Sequence, residues 1–520
     1  MKQDPVDIGS RLELFVDDCL VDRLEGDAKL HLHKPAGREV ALANDRPWED
    51  SHMAYFAALR DGDLYRMYYR PSHHGTGPEA LGEAMCYAES TDGIHWVKPG
   101  LGLFAYEGSG DNNIVLGGDG VKLPATEKWR GDLGMETGLR WRGDMAPFTD
   151  AHPGATPDAR YKALVRGCRG TCQIACGRSD YGMYPFKSPD GVHWSLMSEK
   201  PVITKGRFDS QNLAFWDAVS GRYVAFVRDM KWGTADKPLW NAPPRKQFED
   251  WLETLDPAER DTEQIALTAH GGVRDIRMCT SDDFVNWTDP VSLEFNQDPG
   301  DIDRDLYTNA IAPYERAPHI LLGFPTEIVG MFAHEGAETN PLFMASRDGG
   351  SSFRLWPDPV IPRDAPEERD GNRGNYMAHG LVRGSDREYF VYATEGYTDQ
   401  LDSGRLRRFT YRVDGFVSAR AGLQGGEVVT PPLTFAGSQL VINYIGWPLH
   451  HGSVRVEVQD ADGQPLDGLS LGDSAELRGD EIEKTVTWTA GSGLGQHAGR
   501  PVRLCFALRH ADLFSFQFKE

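Results

Sequence analysis

The sequence predicts an all-β protein in which a five-bladed β-propeller is followed by a C-terminal β-sandwich. A turn motif of the form Ser-x-Asp-Gly-x-x-aromatic recurs along the chain, a strand pattern recurs ahead of it, and short strands at regular spacing follow the last copy. Repetition with a period of tens of residues is typical of propellers and repeat arrays. The clear copies begin at Ser90, Ser188, Ser281 and Ser346, and a worn fifth copy spans 413–416.

The motif is typical of a tight turn between two strands. A carboxylate such as that of Asp92 can accept hydrogen bonds from backbone amides two residues further on. The next residue, Gly93, can adopt positive φ, and the ring of Trp96 is expected to fold back as a plug. Successive copies lie about 65 to 98 residues apart, which suits one four-stranded blade with its loops. Chance similarity among ordinary hairpin turns is the alternative interpretation.

Three regions follow from the positions of these repeats. We expect residues 1–40, with extended stretches between 11 and 34, to supply strands that close the propeller by pairing into its last blade. Residues 41–418 are expected to form the propeller and residues 419–520 the sandwich. An insertion at 232–272 carries apolar residues at helical spacing and predicts two short helices, which pack as a flap or serve as a lid or an oligomer contact.

The strand pattern is the same in each predicted blade. Each blade opens with a strand whose first residues are polar and whose remainder is apolar. The opening strands are expected at 53–59, 144–148, 208–216, 307–313 and 375–382. The sandwich strands are expected at 427–429, 440–444, 454–459, 483–488 and 502–508.

Charge and hydropathy exclude several classes of partner. Lys and Arg total 55 against 78 Asp and Glu, so a formal charge of −23 repels nucleic acid and anionic membranes. No apolar run reaches the roughly 18 residues that a membrane span needs. The first residues lack a signal-peptide pattern, which predicts a cytoplasmic protein, or a periplasmic or secreted one if the start has been trimmed. The run Cys168, Cys172 and Cys176 lacks zinc-site spacing and is expected as buried strand thiols.

The polar beginnings of the opening strands are expected to converge at one end of the central channel, because these strands all run in the same sense. The candidate catalytic acids are Asp209, Glu49, Asp144 and Glu395, with Asp45, Asp50 and Glu327 as alternatives. The candidate substrate-binding residues are Trp48, Asp50, His52, Gln211, Asn212, Tyr307, Asn309, Arg373, Asn375 and His379.

Several carboxylates among aromatic and amide side chains suit the hydrolysis of a glycosidic bond. One carboxyl group must hold its proton near neutral pH to protonate the leaving oxygen, while another stays ionised as base or nucleophile. Crowding the acids together separates their affinities for protons in this way. We expect no organic cofactor. A structural Ca²⁺ in the channel is a further expectation, because carboxylate and amide oxygens are its preferred ligands.

The predicted arrangement resembles the five-bladed glycoside hydrolases of the invertase, levanase and arabinanase type, and the turns are similar to the Asp-boxes of sialidases. More narrowly, the runs Leu-Phe-Val-Asp-Asp at 14–18, Phe-Asp-Ser-Gln-Asn at 208–212 and Leu-Tyr-Thr-Asn-Ala at 306–310 resemble an uncharacterised bacterial branch of glycosidases. That narrower resemblance covers nearly the whole chain and brings no assigned substrate.

The resemblance implies three acids on the inner strands of the first three blades, acting as base or nucleophile, supporting Asp and general acid. Carried over, Glu49 (or Asp45 or Asp50) is the first acid, Asp144 the second and Asp209 the third. Residues 44–47 only faintly match the family phrase Asn-Asp-Pro-Asn-Gly, and the third acid is Asp where the family has Glu. Glu395 and Glu327 are therefore alternatives for the general acid.

The sequence thus predicts a glycoside hydrolase acting on a small or terminal glycoside, with a carbohydrate as its partner and neither nucleic acid nor membrane. A homo-oligomer formed through the insertion at 232–272 stays open. A glycoside phosphorylase is one alternative function, in which Arg373, His379 and His52 would collect phosphate, although the acidic field argues against anion capture. A non-catalytic carbohydrate-binding propeller is the other.

Overall fold

The computed structural model describes residues 4–50, 52–71, 84–117, 139–169, 180–231, 254, 273–295, 304–329, 338–361, 375–396, 404–447, 451–489, 491 and 493–520. Over these ranges the protein is all-β, as predicted, and its helical elements are 3₁₀ turns at Pro157–Ala159 and Gly495–His497. The insertion predicted to be helical at 232–272 lies outside the described residues, apart from Thr254. In the described part of the chain no helix is long and apolar enough to cross a membrane.

The first five strands all pair with strands that follow residue 404. They are β1 (Val6–Gly9), β2 (Glu13–Leu14), β3 (Arg23–Gly26), β4 (Lys29–Leu32) and β5 (Ala36–Ala43). The start and the end of the chain are therefore parts of the same sheets.

Three sheets follow in chain order. The first contains β6 (Ala54–Asp61), β7 (Leu64–Arg70), β8 (Met85–Ser90) and β9 (Ile114–Leu116). The second contains β10 (Leu139–Trp141), β12 (Phe148–Thr149), β13 (Tyr161–Arg169), β14 (Gly182–Ser188) and β15 (Ser195–Leu196). The third contains β16 (Asn212–Asp217), β17 (Arg222–Lys231), β18 (Val273–Ser281) and β19 (Val291–Ser292), with β11 (Met145–Ala146) parallel to β16.

Two further sheets and a hairpin complete this series. The fourth sheet contains β20 (Glu294–Phe295), β21 (Ala312–Tyr314), β22 (Ala317–Gly323), β25 (Phe343–Ser346) and β26 (Ser352–Trp356). The hairpin consists of β23 (Thr326–Val329) and β24 (Glu338–Pro341). The fifth sheet contains β27 (Val382–Arg383), β28 (Glu388–Glu395) and β29 (Arg405–Arg412), and β5 is its fourth strand.

The C-terminal strands form two six-stranded sheets around a common core. They are β30 (Val417–Ala421), β31 (Gly426–Val429), β32 (Leu433–Phe435), β33 (Gln439–Gly446), β34 (Ser453–Asp460), β35 (Asp480–Thr485), β36 (Val502–Arg509) and β37 (Ala511–Lys519). One sheet runs β1-β32-β36-β31-β3 with β34 on β36, and the other runs β35-β33-β37-β30-β4 with β2 on β37. Alternating apolar residues such as Ile442, Phe506 and Phe516 fill the space between them.

The N-terminal strands differ from the expectation that residues 1–40 pair into the last blade. β1 to β4 pair with β32, β37, β31 and β30 of the C-terminal sheets. The strand that pairs with the fifth sheet is β5, which crosses the expected boundary at residue 40. Most of β5 is exposed, so its sequence lacks the apolar alternation that marks a half-buried strand.

Buried clusters connect neighbouring sheets in a closed circuit. One cluster joins the first sheet to the second and the fifth, another joins the second, third and fourth, and another joins the fourth to the fifth. At the contact between the first and fifth sheets, Gly380 has a φ of +105°, and a Cβ added there would lie 1.9 Å from the carbonyl oxygen of Ala58. Only glycine permits this approach of two backbones.

The repeated turn begins at the last residue of β8, β14, β18 and β25, one strand in each of the first four sheets. In the first copy, the Oδ1 atom of Asp92 accepts hydrogen bonds from the amides of Ile94 and His95, both at 2.8 Å. Gly93 has a φ of +71°, as predicted, whereas the third copy places Phe284 at +69°. The fifth, worn copy follows β29. There the carboxylate of Asp414 instead accepts hydrogen bonds from side chains that are distant in the sequence.

Replacing Asp283 in the third turn with asparagine is expected to lower the free energy of unfolding by about 1–2 kcal/mol at pH 7. The expected change is no larger because Asp283 is exposed and solvent screens its charge. Its carboxylate accepts hydrogen bonds from the amides of Val285 (2.9 Å) and Asn286 (2.7 Å). Burial alone would raise the pKa of Asp283, but the bonds from Asn286 and Val285 outweigh it and lower the pKa to about 2.

A carboxyl whose pKa is depressed by folding stabilises the protein above its unfolded pKa of about 3.9 and loses that contribution as the pH falls. The difference between wild type and Asp283→Asn should therefore be full at pH 7 and shrink between about pH 4 and pH 2. Urea unfolding across this range measures it. The control is Asp282→Asn, whose side chain is 77% exposed. An equal effect in both variants would contradict the prediction.

The cysteines require one correction. Cys168 is disulfide-bonded and is not the free strand thiol that we expect from the sequence. Cys86, Cys279 and Cys505 are free and buried, and Cys19 is free and exposed. Cys172 and Cys176 lie outside the described residues.

Candidate active site

A bulge in the first strand of the first sheet sets the geometry of the site. The pairing of β6 with β7 shifts between Ala54 and Ala57, and Tyr55 has a φ of +54°. This conformation is unfavourable for an aromatic residue, so the surrounding contacts must hold it. The bulge turns the carbonyl oxygens of Tyr55 and Phe56 toward the third sheet, where the Nε2 atom of Gln211 donates to them at 2.8 and 3.1 Å.

Three tyrosines from different sheets meet beside this bulge, and we call them the tyrosine cluster: Tyr55, Tyr307 and Tyr376. The hydroxyl oxygens of Tyr55 and Tyr307 lie 2.5 Å apart, and the rings of Tyr307 and Tyr376 have centroids 5.8 Å apart. The hydroxyl of Ser210 donates to the carbonyl oxygen of Tyr307 at 2.8 Å. The segments that precede β16, β21 and β27 therefore contact one another and β6 at this site.

One arginine joins two of the predicted acids. The Nε atom of Arg166 on β13 donates to Asp144 at 2.8 Å, and its Nη1 atom donates to Asp209 at 3.0 Å. The side chain of Asp144 is 1% exposed, whereas that of Asp209 is 44% exposed. We call Asp144 and Asp209 the carboxylate pair. Its inner member is enclosed in the protein and its outer member faces solvent.

Guanidinium groups lie over the faces of two cluster tyrosines. The Cζ atom of Arg70 lies 4.5 Å from the ring centroid of Tyr55. The Cζ atoms of Arg228 and Arg274 lie 5.5 and 5.2 Å from the ring centroid of Tyr307. Cations at these distances are attracted by the electron-rich faces of the rings. Three guanidinium groups therefore lie against the rings of the tyrosine cluster.

The buried amides predicted to bind substrate hold the backbone of the site instead of facing solvent. The Nδ2 atom of Asn212 donates to the carbonyl oxygen of Ser210 at 2.8 Å, and its Oδ1 atom accepts from the amide of Arg228 at 2.9 Å. Asn309 and Asn375 bond to backbone groups in the same way. Gln211 ties the third sheet to the bulge. These residues position the segments that carry Asp209 and Tyr307.

The predicted histidines lie at the edge of the site. His379 bridges the fifth and first sheets through its backbone, because its amide donates to the carbonyl oxygen of Phe56 at 2.8 Å. Burial lowers the pKa of His379 to about 4, so its ring is neutral near pH 7. The amide of His52 donates to Asp50 at 2.6 Å, and its carbonyl oxygen accepts a hydrogen bond from Arg70 at 3.3 Å. Asp50 and His52 therefore lie beside the guanidinium that covers Tyr55.

Glu49 makes its contacts within the first sheet and its flanking loops. Its carboxylate, which has no exposed area, accepts hydrogen bonds from Tyr69 at 2.6 Å and Lys98 at 2.7 Å. Burial raises the pKa of Glu49. Asp45 shares Lys98 with it, and Trp48 donates to Asn113 on the same side of the sheet.

Glu395 and Glu327 are each paired with arginine. Glu395 at the end of β28 is 1% exposed and accepts hydrogen bonds from Arg405 at 2.6 Å and Arg407 at 2.5 Å. Glu327 on β23 pairs with Arg304 at 2.9 Å, and its side chain is 14% exposed. Arg373 lies outside the described residues.

Sequence reasoning missed Arg166, Arg228 and Tyr55. Arg166 and Arg228 lie on β13 and β17, whereas the residues predicted from the sequence lie mainly at the starts of the opening strands. Tyr55 falls inside an apolar alternation, and its hydroxyl reaches the site only because the bulge shifts the register. The available signal was an arginine directly after an apolar run, Ala-Leu-Val before Arg166 and Val-Ala-Phe-Val before Arg228.

Among the described residues, no group of three or more His, Cys, Asp and Glu side chains could hold a metal ion. The structural Ca²⁺ stays a prediction.

Comparisons with known proteins identify structural likenesses at low identity. No family model and no curated protein matches the chain. Solved structures similar to it include one described as a glycoside hydrolase, at 13% identity and a TM-score of 0.42 over 73% of this chain and 92% of the other. An N-acetylgalactosamine deacetylase from F. plautii gives 12% identity and a TM-score of 0.41 over 80% and 96%. A fructofuranosidase from Schwanniomyces occidentalis gives 10% and 0.37 over 93% and 97%. Likeness of this degree does not bear on substrate or mechanism.

Proposed function

We propose that this protein is a glycoside hydrolase that acts on a small or terminal glycoside. The observation that carries the proposal is the carboxylate pair on Arg166, next to the tyrosine cluster. Glycosidic bonds are cleaved by carboxylates acting as base, nucleophile or acid, and tyrosine rings offer flat faces against which a sugar can stack. Asp209 is the outer, partly exposed member and meets the substrate first.

We further propose that the five sheets are the blades of a propeller and that the two six-stranded sheets form a sandwich. The closed circuit of buried clusters, the turn at the same place in four sheets and the pairing of β5 with the last sheet all support a ring. In such a ring the first strands of the blades surround the axis. The contacts among Tyr55, Tyr307, Tyr376 and Gln211 are what this arrangement predicts.

The members of the carboxylate pair have different roles in this proposal. Asp209 acts as base or nucleophile at the sugar. Asp144 is a positioning residue, since its enclosed carboxylate fixes Arg166, which in turn orients Asp209. The shared guanidinium also compensates part of the repulsion between two negative groups held so close together. A substrate carbohydrate is therefore the expected partner.

A glycoside phosphorylase is the second candidate, and the arginines around Tyr307 are the observation that favours it. Phosphate binding requires several cationic donors in one place. His379 does not add to them near pH 7, because burial lowers its pKa to about 4. A non-catalytic carbohydrate-binding propeller would hold the same side chains and catalyse nothing.

The test is a panel of aryl glycosides, furanosides and pyranosides of both anomers, incubated with wild type and with Asp209→Asn, in the presence and absence of inorganic phosphate. The proposal expects aryl alcohol release from one sugar by wild type alone, independent of phosphate. Release that requires phosphate would establish the phosphorylase instead. Sugar binding without release, equal in both proteins, would establish the binding module.

A further inference from the structure

Arg228 is a buried cation whose charge is not matched by a carboxylate. The residue is 5% exposed, and its Nε atom is enclosed without a hydrogen-bond partner. Its Nη1 atom donates to the carbonyl oxygen of Arg207 at 3.1 Å, and its Nη2 atom lies 3.3 Å from the sulfur of Met230. Within the described ranges, no Asp or Glu lies at ion-pair distance from this guanidinium.

Two other arginines of the site, Arg166 and Arg274, are paired with carboxylates. Arg166 contacts Asp144 and Asp209, and Arg274 contacts Asp305 at 2.6 Å. Arg304 is likewise paired with Glu327. A buried charge without a partner is costly, and the ring of Tyr307 offsets only a part of this cost. In a chain with a formal charge of −23, carboxylates are abundant, yet none of those in the described ranges lies at ion-pair distance from Arg228.

The position of Arg228 connects it to the site. Its guanidinium contacts the carbonyl of Arg207, two residues before Asp209, and covers the ring of Tyr307. The amide of Arg207 in turn donates to the carbonyl oxygen of Arg228 at 3.1 Å. The unmatched cation thus lies between the segment that carries the outer carboxylate and the tyrosine against which a sugar would stack.

We propose that Arg228 receives an anionic group of the substrate, and that the substrate is an acidic sugar whose carboxylate completes the ion pair. The inference rests on the proposed function and narrows its substrate class to uronic acids. Guanidinium groups bind carboxylates through charge-assisted hydrogen bonds, which are short and directional. Inorganic phosphate offers the same oxyanion chemistry, so the test must separate the two.

The test measures binding by isothermal titration calorimetry to the Asp209→Asn protein, which is expected not to turn substrate over. The probes are glucuronic and galacturonic acid, the matched neutral sugars glucose and galactose, and inorganic phosphate. We expect at least one acidic sugar to bind about 10-fold or more tightly than its neutral partner, and this preference to vanish when Arg228→Gln is added. Arg228→Lys should keep part of the preference.

Several outcomes would overturn the inference. Equal affinity for acidic and neutral sugars, no binding of any acidic sugar, or tight binding of phosphate alone would each do so. If the protein hydrolyses neutral glycosides and does not prefer acidic sugars, the hydrolase proposal stands and the acidic-sugar inference fails. If it prefers acidic sugars but hydrolyses no glycoside, the binding site at Arg228 stands and the hydrolase proposal fails. A thermal melt of the Arg228→Gln variant distinguishes substrate binding from a purely structural role. Because it removes an unmatched buried cation, the substitution should leave the melting temperature unchanged or raise it. A lowered melting temperature together with unchanged sugar preference would contradict the inference.

Discussion

Asp209→Asn is expected to reduce kcat by about 10²- to 10⁴-fold while the protein stays folded. Asparagine keeps the shape of the side chain but cannot accept a proton or attack a sugar carbon. The side chain is 44% exposed, so loss of its ion pair with Arg166 should change the free energy of unfolding by less than about 1 kcal/mol. Steady-state kinetics on the aryl glycoside found by the panel, together with a urea titration, measure both quantities.

Two further variants sharpen this prediction. Asp63→Asn, at an exposed hairpin between β6 and β7, removes a carboxylate with no role in the site and should leave kcat unchanged. Asp144→Asn removes the enclosed partner of Arg166 and should lower both kcat and stability. If Asp209→Asn retains wild-type kcat, Asp209 is not the base or nucleophile.

Glu395→Gln is expected to destabilise the protein by about 3–5 kcal/mol, because it leaves the buried guanidinium of Arg407 without its charged partner. Glu395 is 1% exposed and Arg407 is 7% exposed, and the carboxylate also receives a hydrogen bond from Arg405. The urea midpoint of unfolding measures the effect. The glutamine retains the volume of the side chain, so the lost charge is the main change.

The matched control is Glu388→Gln on the same strand, whose side chain is 43% exposed and pairs with Arg38 at 3.3 Å. An exposed pair of this kind should contribute less than about 1 kcal/mol. If the Glu395→Gln protein is as stable as wild type but has lost turnover, Glu395 does not act mainly by stabilising the fold. It would then be a catalytic acid, as predicted from the sequence.

The repeated turns and the meeting of opening segments could be predicted because their chemistry is local. A Ser, an Asp and a glycine at fixed spacing define the turn at Asp92 whatever surrounds it, and the structure has the predicted hydrogen bonds there. The polar starts before β16 and β21 likewise indicated that Asp209 and Tyr307 would come close. The carbonyl contact between Ser210 and Tyr307 is the result.

The remaining parts of the site depend on registers that a single sequence does not encode locally. Glu49 lies near a strand start as the other predicted acids do, yet its carboxylate contacts Lys98 and Tyr69 of its own sheet and flanking loops. The bulge at Tyr55 is a tertiary effect, since nothing in its apolar alternation marks a left-handed backbone. The edge strand β5 is mostly exposed and so carries no apolar pattern to read.

The pairing of β1 to β5 with strands beyond residue 404 also concerns the order in which the chain is made. A ribosome releases these five strands well before their partners, which lie beyond residue 404. Throughout synthesis the N-terminal strands therefore remain open edges, which invite pairing with the wrong chain. The strands beyond residue 404 complete the fifth sheet and both C-terminal sheets. We expect a chain cut before residue 405 to leave β1 to β5 without their partners and therefore to aggregate.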